Sequence, residues 1–212
     1  MDALKSLADQ ARPGDRGQQV IVTAFFQAIS RILSDGSIRP HSDGGTIRLA
    51  CPMRVIGPGA ITVRGTVYFG VFRSPHMLHG VHLGAMLPTS RIFIDDGTYL
   101  NNGGCILSEG SEIRIGKRVL IGTNFWCLDS NFHDLAIDRR GSRDSDPQPV
   151  VIEDDVFIGV NVIIMKGVTI GRGSIVAAGS VVFPGFSCPP NSTVRGNPAT
   201  FVENVQREDD PA

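Results

Sequence analysis

The chain has 212 residues, enough for one domain with a sizeable core, and combines a 42% hydrophobic content with 25 glycines and 13 prolines. A formal net charge of −1 excludes the basic excess of a dedicated nucleic-acid binder. The residue balance suits a corner-rich β architecture and argues against a helical bundle. Cys51, Cys105, Cys127 and Cys188 are scattered without a CxxC pair, so they read as buried apolar fillers in a reducing, cytoplasmic setting. No run reaches the roughly eighteen apolar residues of a membrane span. Met1-Asp-Ala-Leu-Lys-Ser lacks a basic stretch leading into an apolar core, so no export signal is expected.

Residues 1–36 read as a helical arm, broken at Pro13-Gly14 and stopped at Asp35-Gly36. Val20, Ile21, Ala24, Phe25, Ala28, Ile29, Ile32 and Leu33 recur at helix spacing, a stripe expected to pack on the base of the remaining fold or on a neighbouring subunit. Membrane contact is not expected, because Arg31 is the one cation of that segment's polar face. From Ile47 short β runs with glycine corners begin. Val55, Ile61 and Val67 are spaced by six, as are Ile94, Leu100 and Ile106. Between these sets, residues 70–91 hold Pro75, Pro88 and three histidines and lose the period, which predicts a loop or irregular coil.

The register slips by nine residues to Ile115 and resumes at Ile121 and Cys127. The strongly polar run Asp134 to Gln148 then predicts a loop protruding over 134–149. Beyond it the period is strict: Ile152, Ile158, Ile164, Ile170, Val176 and Val182. Six is neither the 3.6 of a helix nor the 2 of an ordinary strand. A hexad locked to branched aliphatics predicts an all-β chain folded as a parallel β-helix, each repeat forming one side of a triangular coil. The residues following the aliphatics (Glu153, Gly159, Met165, Gly171, Ala177, Phe183) include several small ones, and the fourth positions (Val156, Val162, Val168, Ser174, Ser180) are narrow. Such residues suit corners. The period is expected to stop after Val182, the β-helix domain to occupy 37–205, and residues 206–212 to form a frayed acidic tail.

Chemistry is expected at His133, in Leu128-Asp-Ser-Asn-Phe-His-Asp134, where a coil ends and the excursion begins. Imidazole takes a proton from a hydroxyl near neutral pH, and Asp129 or Asp134 could orient it. A solvated loop histidine between two acids fits the same pattern. Cys127 could carry an acyl group, but its place in an aliphatic slot favours inward packing. His76, His79 and His82, spaced by three, raise a metal site as a rival, although on a strand that spacing turns His79 away from the other two, and no metal is expected.

The run Ile158-Gly-Val-Asn-Val-Ile-Ile-Met-Lys-Gly-Val-Thr-Ile-Gly-Arg-Gly-Ser-Ile-Val-Ala-Ala-Gly-Ser-Val-Val182, followed by Pro189-Pro-Asn-Ser-Thr-Val-Arg-Gly-Asn-Pro-Ala199, resembles the hexapeptide-repeat acyltransferases, in particular the branch of galactoside, maltose and polysaccharide O-acetyltransferases. The resemblance covers roughly residues 92–202. It implies a left-handed β-helix, a homotrimer, and acetyl-CoA in a groove between adjacent subunits. It also implies that His133 is the general base, deprotonating an acceptor hydroxyl that attacks the thioester directly.

By the same resemblance the acceptor sugar is held at Asn101 and Glu109, with Asn102 an alternative one residue along and Asp129 beside them. The cofactor positions fall on Val160, Ala178 and Phe183, with Gly159 leaving room for the pantetheine arm. Phe183-Pro184 stands where many relatives have Thr-Lys, so the cations for the coenzyme A phosphates are sought among Lys166, Arg172 and Arg195. The resemblance implies an O-acetyltransferase acting on a sugar or polysaccharide precursor. N-acetylation of an amine, or a trimeric scaffold without catalysis, remain alternatives, the latter because the Thr-Lys pair is missing.

Overall fold

A computed structural model describes residues 16–204 apart from residues 73 and 75–77. The start of the arm, the acidic tail and His76 therefore lie outside the described residues. Helix α1 (Arg16–Leu33) carries the predicted amphipathic pattern, but its seat differs from the expected stripe. Phe26 and Ser30 are buried, whereas Phe25, Ile32 and Leu33 are exposed. Hydrogen bonds explain the rotation: Ser30 Oγ accepts from Met53 N at 2.9 Å and Ser34 Oγ from Val55 N at 2.9 Å, which staples one helix face to β2 (Met53–Ile56). No helix among the described residues is long and apolar enough to cross a membrane.

The β region is a triangular coil. One face stacks β5 (Arg91–Ile94), β8 (Glu112–Ile115), β11 (Val150–Ile152), β14 (Thr169–Ile170) and β17 (Ser187–Cys188). A second stacks β6 (Tyr99–Leu100), β9 (Leu120–Ile121), β12 (Phe157–Ile158), β15 (Ile175–Val176) and β18 (Ser192–Gly196). A third stacks β2, β4 (Val81–Ala85), β7 (Cys105–Ser108), β10 (Trp126–Leu128), β13 (Ile163–Ile164) and β16 (Val181–Val182). The long β3 (Ala60–Phe69) joins the first two faces, pairing with β5 at one end and β6 at the other, while β1 (Ile38–Leu49) lies parallel to it. The chain closes with β19 (Ala199–Asn204), folded back antiparallel on β18.

The hexad maps onto this coil directly. Ile152, Ile158, Ile164, Ile170, Val176 and Val182 are all buried and take successive inward slots around the three faces. Each such burial is worth roughly 1.5–3 kcal/mol. Corners fall at a fixed phase as well: Asp155, Asn161, Gly167, Gly173, Gly179, Gly185 and Asn191 have φ between +57° and +76°. The left-handed turn thus sits three residues after each aliphatic, on Asn, Asp and Gly, which enter that region at least cost. Residues directly after the aliphatics have a different task. A Cβ on Gly159 would lie 2.5 Å from Ala178 N of the next coil, so glycine there lets the coils close on each other.

Two expectations are corrected. The period continues past Val182, because Cys188 and Val194 occupy the next inward slots and both are buried. Within residues 70–91, Val81–Ala85 forms a regular strand, in register between β2 and β7. Outward His82 and a glycine at position 84, where a Cβ would lie 2.5 Å from Leu107 Cδ2, hide its alternation. A single methyl at Gly159 is predicted to force neighbouring coils apart: Gly159→Ala should lower unfolding stability by about 1–3 kcal/mol in a denaturant titration. An unchanged midpoint would show that the coils have slack.

Candidate active site

At the corner between the third and first faces the chain leaves the regular coil for the long polar loop, and the buried charged residues Asp129, Asp134 and Lys166 gather there. Successive coils place Ser108, Asp129 and Lys166 in one column, as the pairing of Leu107 with Leu128 and of Cys127 with Ile164 dictates. Asp129 is fully buried. Its Oδ1 accepts from Glu109 N at 2.6 Å, and its Oδ2 accepts from Ser108 Oγ at 2.6 Å and Ser111 N at 2.9 Å. Burial raises the Asp129 carboxyl above its ordinary value, against the opposing pull of these three bonds. Because every partner is a donor, the carboxylate form is the one that fits.

Asp129, expected beside an acceptor, is buried and bonded within the chain, where it shapes the turn that presents Glu109. The Glu109 side chain stands at the surface of that turn with Oε2 buried and without a hydrogen-bond partner among the described residues. Oε1 lies 3.9 Å from Arg143 Nε of the protruding loop. Burial raises the Glu109 carboxyl above its ordinary range, opposed by the charges of Arg143 and His133 and reinforced by Asp129. A buried carboxylate oxygen with no donor is costly, and such sites cluster where a ligand supplies the missing bond.

His133 projects beside Glu109 at the start of the loop and is exposed. Just before it, Phe132 has φ of +63°, a left-handed conformation rare for a bulky residue, and its N–H donates to Ser130 Oγ at 2.9 Å. That kink lifts the chain off the coil. Beyond it, Asp134 accepts from Ala136 N at 2.9 Å and Arg139 Nε at 3.1 Å. Hydrogen bonds and the Arg139 charge hold its carboxyl below the usual range. Both flanking acids are thus engaged elsewhere, and neither orients the imidazole.

The remaining expected positions are distributed over the corners. Asn101 follows β6 and lies a whole face of the coil away from Glu109, at the corner of the second and third faces, where its Oδ1 accepts from Asn102 N at 2.7 Å. Asn102 is fully buried and its Oδ1 accepts from Val71 N at 2.8 Å. It secures the preceding loop. Gly159, Val160 and Ala178 share the corner of Asn101 on later coils, with Val160 exposed. Exposed Phe183 lies at the His133 corner, one coil beyond Lys166.

Of the three cations, Lys166 is buried and paired with Asp144 at 2.8 Å. Arg172 sits at the corner of the first and second faces, 3.4 Å from Asp155, and Arg195 is exposed on β18. Arg143, Asp144 and Phe132 also stand at the His133 corner, with no periodic signal in the sequence to mark them. Cys127 packs inward with its thiol pushed up by burial, so it offers no thiolate. Among the described residues no group of His, Cys, Asp and Glu could hold a metal ion. His82 lies on regular β4, its imidazole lowered by burial and by Arg54.

Two stability measurements follow from this corner. Asp129→Asn keeps one acceptor oxygen but turns an amide NH2 toward at least one of the three donors and removes the charge, and should cost about 3 kcal/mol by chemical denaturation; a neutral result would remove its role in shaping the turn. Glu109 has the opposite sign. Since its folded-state carboxyl is raised, its contribution to stability is fully present below the ordinary carboxylate range and is lost as pH rises through the raised value. Glu109→Gln should therefore melt higher than the parent at pH 7 and lose that pH dependence. A lower melting temperature at pH 7 would contradict the assignment.

A family model described as the hexapeptide repeat of succinyl-transferase matches residues 149–184. A Schizosaccharomyces pombe protein named as an acetyltransferase is 34% identical over 110 residues, 52% of this chain and 52% of that protein, so the match spans about half the length of the relative. A hexapeptide-repeat acetyltransferase from Vibrio cholerae superposes with a TM-score of 0.52 at 27% identity, over 97% of this chain and 93% of its own. The Vibrio cholerae protein has also been solved complexed with acetyl-CoA. The polysialic-acid-specific acetyltransferase NeuO has the same fold, with a TM-score of 0.52 at 20% identity over 84% of each chain. With the coil, the corner phase and the protruding loop in place, this chain has the fold of the hexapeptide-repeat acetyltransferases and is similar to them in sequence over residues 149–184.

Proposed function

We propose that the protein transfers an acetyl group from acetyl-CoA to a hydroxyl of a sugar or polysaccharide precursor, with His133 as general base. The observation that carries this reading is the pairing of exposed His133 with the donor-less, buried Oε2 of Glu109 at one corner. A sugar hydroxyl donating to Glu109 would satisfy that oxygen and place a neighbouring hydroxyl before the imidazole. His133 takes the hydroxyl proton as the oxygen attacks the thioester carbonyl. The tetrahedral intermediate then collapses with cleavage of the carbon–sulfur bond, and the imidazolium returns its proton to the departing thiolate. The S. pombe and V. cholerae relatives support the donor, and alignment of reactants in one groove supplies much of the rate.

We place the complete site between copies of a homotrimer. Two faces carry outward apolar ladders in register. Tyr99, Leu120 and Phe157 are 39%, 47% and 50% exposed on the second face, and Trp126 is 44% exposed on the third. Ladders of this kind favour association with a partner. Asn101, Val160 and Ala178 flank them on the corner opposite His133, so a neighbouring copy could offer them to its groove. The coenzyme A pyrophosphate is assigned to exposed Arg195 or Arg172 rather than Lys166.

His133→Ala should lower acetyl transfer by about 10²–10⁴-fold while circular dichroism and oligomeric state stay unchanged. An active variant would overturn the assignment. Parallel assays with hydroxyl and amine acceptors distinguish O- from N-transfer. Sedimentation equilibrium should return three copies, and Phe157→Glu should yield monomer; a monomeric parent protein would remove the inter-subunit site.

A further inference from the structure

One cluster at this corner is left unused by the transfer chemistry. The Lys166 side chain is 9% exposed and the Asp144 side chain 6%. Lys166 Nζ donates to Asp144 Oδ2 at 2.8 Å and to the Asp146 carbonyl at 2.6 Å, with the Asp146 carboxylate 3.8 Å away. Asp144 gathers the two limbs of the protruding loop. On the outgoing limb its Oδ2 accepts from Asn131 N at 2.7 Å and Ser130 Oγ at 3.3 Å, and on the returning limb its Oδ1 accepts from Asp146 N at 3.0 Å. Burial pushes this carboxyl up, but the hydrogen bond from Lys166 and those from Asn131 and Asp146 outweigh it and hold it down at about 2.

Lys166 belongs to the regular coil, two residues after the fully buried Ile164, so its backbone is fixed by the β-helix itself. The loop has no strand of its own to fix it. Asn131, tied to Asp144, is two residues before His133, and the intervening Phe132 is held in its left-handed turn by Ser130, the other outgoing-limb residue at the Asp144 carboxylate. The path from coil to imidazole therefore runs Lys166, Asp144, Asn131 and Ser130, Phe132, His133. A buried ion pair brings little net stability over an apolar pair of similar volume, because desolvating both charges offsets their attraction. It does fix one geometry, since each of its hydrogen bonds is directional.

We infer that Lys166 and Asp144 are positioning residues that present His133, so that Lys166 acts on the rate of transfer and not on coenzyme A. The inference rests on His133 as the base, and it extends that reading to a coil residue whose charge has a different evident purpose. A lysine that bound a coenzyme A phosphate would govern KM for acetyl-CoA. A lysine that clamps the loop governs kcat and the acceptor terms, since a displacement of the base by about 1 Å can cost on the order of 100-fold in rate.

The test uses Lys166→Met, which keeps the length and removes the charge, and Asp144→Asn, which keeps the shape and weakens the clamp. Should Lys166→Met fail to fold, Asp144→Asn decides alone. Both should lose about 10- to 100-fold in kcat with KM for acetyl-CoA within about threefold, and should change the pH profile of kcat/KM for the acceptor. A raised KM for acetyl-CoA with kcat preserved would overturn the inference in favour of phosphate binding. A second readout needs no activity: trypsin should cut the loop after Arg139, Arg140 or Arg143 at least about tenfold faster in either variant, while the coil resists. Unchanged loop cleavage would also overturn the clamp. If the parent protein proves inactive on every acceptor, the transfer reading fails, and the proteolysis result still decides whether Lys166 holds the loop.

Discussion

Every strand of this coil finds its backbone partners on the coils before and after it, and that requirement governs the molecule. A β-helix has no hairpin partner to absorb an irregular residue. An insertion displaces all the hydrogen bonds of its coil unless it loops clear at a corner. The bond from Gly159 N to Val176 O at 2.8 Å and that from Ile163 N to Ser180 O at 3.0 Å repeat, one coil on, the bonds from Gly122 N to Ile158 O at 2.8 Å and from Trp126 N to Val162 O at 2.9 Å. Side chains follow from it. Branched aliphatics fill the inward slots, while Asn, Asp and Gly stand at the left-handed corners. One departure shows the strength of the rule. Arg118 is held at φ of +54°, and a bidentate pair with Asp155, at 2.6 and 2.8 Å on the next coil, secures a residue type that rarely takes this conformation.

Corners are therefore the only places where such a fold can add chemistry without loss of pairing. The added groups must be anchored by side chains, because the ladder bonds are already committed. Asp129 illustrates this at the working corner. It sits where the inward column of the third face would continue, and it replaces apolar filling by accepting three donors from the coil before it. The turn it organises carries Glu109, and the residues that follow it carry His133. Lys166 repeats the device one coil on. Function and fold meet in a polar column where serine, aspartate and lysine succeed one another under strictly periodic backbone constraint.

The legibility of the chain follows the same division. Ile152 to Val182 could be read residue by residue because the constraint is periodic and each slot admits few side chains. Cys188 was harder, since a thiol fills the slot as well as a valine does but breaks the visible pattern. The strand Val81–Ala85 escaped for a related reason: its outward His82 and close-packed Gly84 show no alternation. Of the two residues proposed for the site, His133 stands where the period fails, and Glu109 was named through resemblance alone. The contacts of Asp129, Asn102 and Lys166 are not legible in the sequence. Each is decided by a partner far away in sequence, Ser108, Val71 and Asp144 respectively, and no local pattern encodes which buried polar atom meets which.

The proposed assembly follows from the parallel course of the coil. Glu109 and His133 stand on one corner and Asn101, Val160 and Ala178 on another, with a flat face between them, so no rearrangement short of breaking the ladder brings them together within one chain. A groove that uses both sets has to be built from two copies, each offering a different corner. The apolar ladders of Tyr99, Leu120 and Phe157 on one face and Trp126 on the next flank the second of these corners. A prism of three equal sides packed about a three-fold axis would bury such ladders and repeat the same two-corner groove at each interface. In the proposed assembly, the constraint that stacks the coils would thus also make the catalytic unit larger than the folding unit.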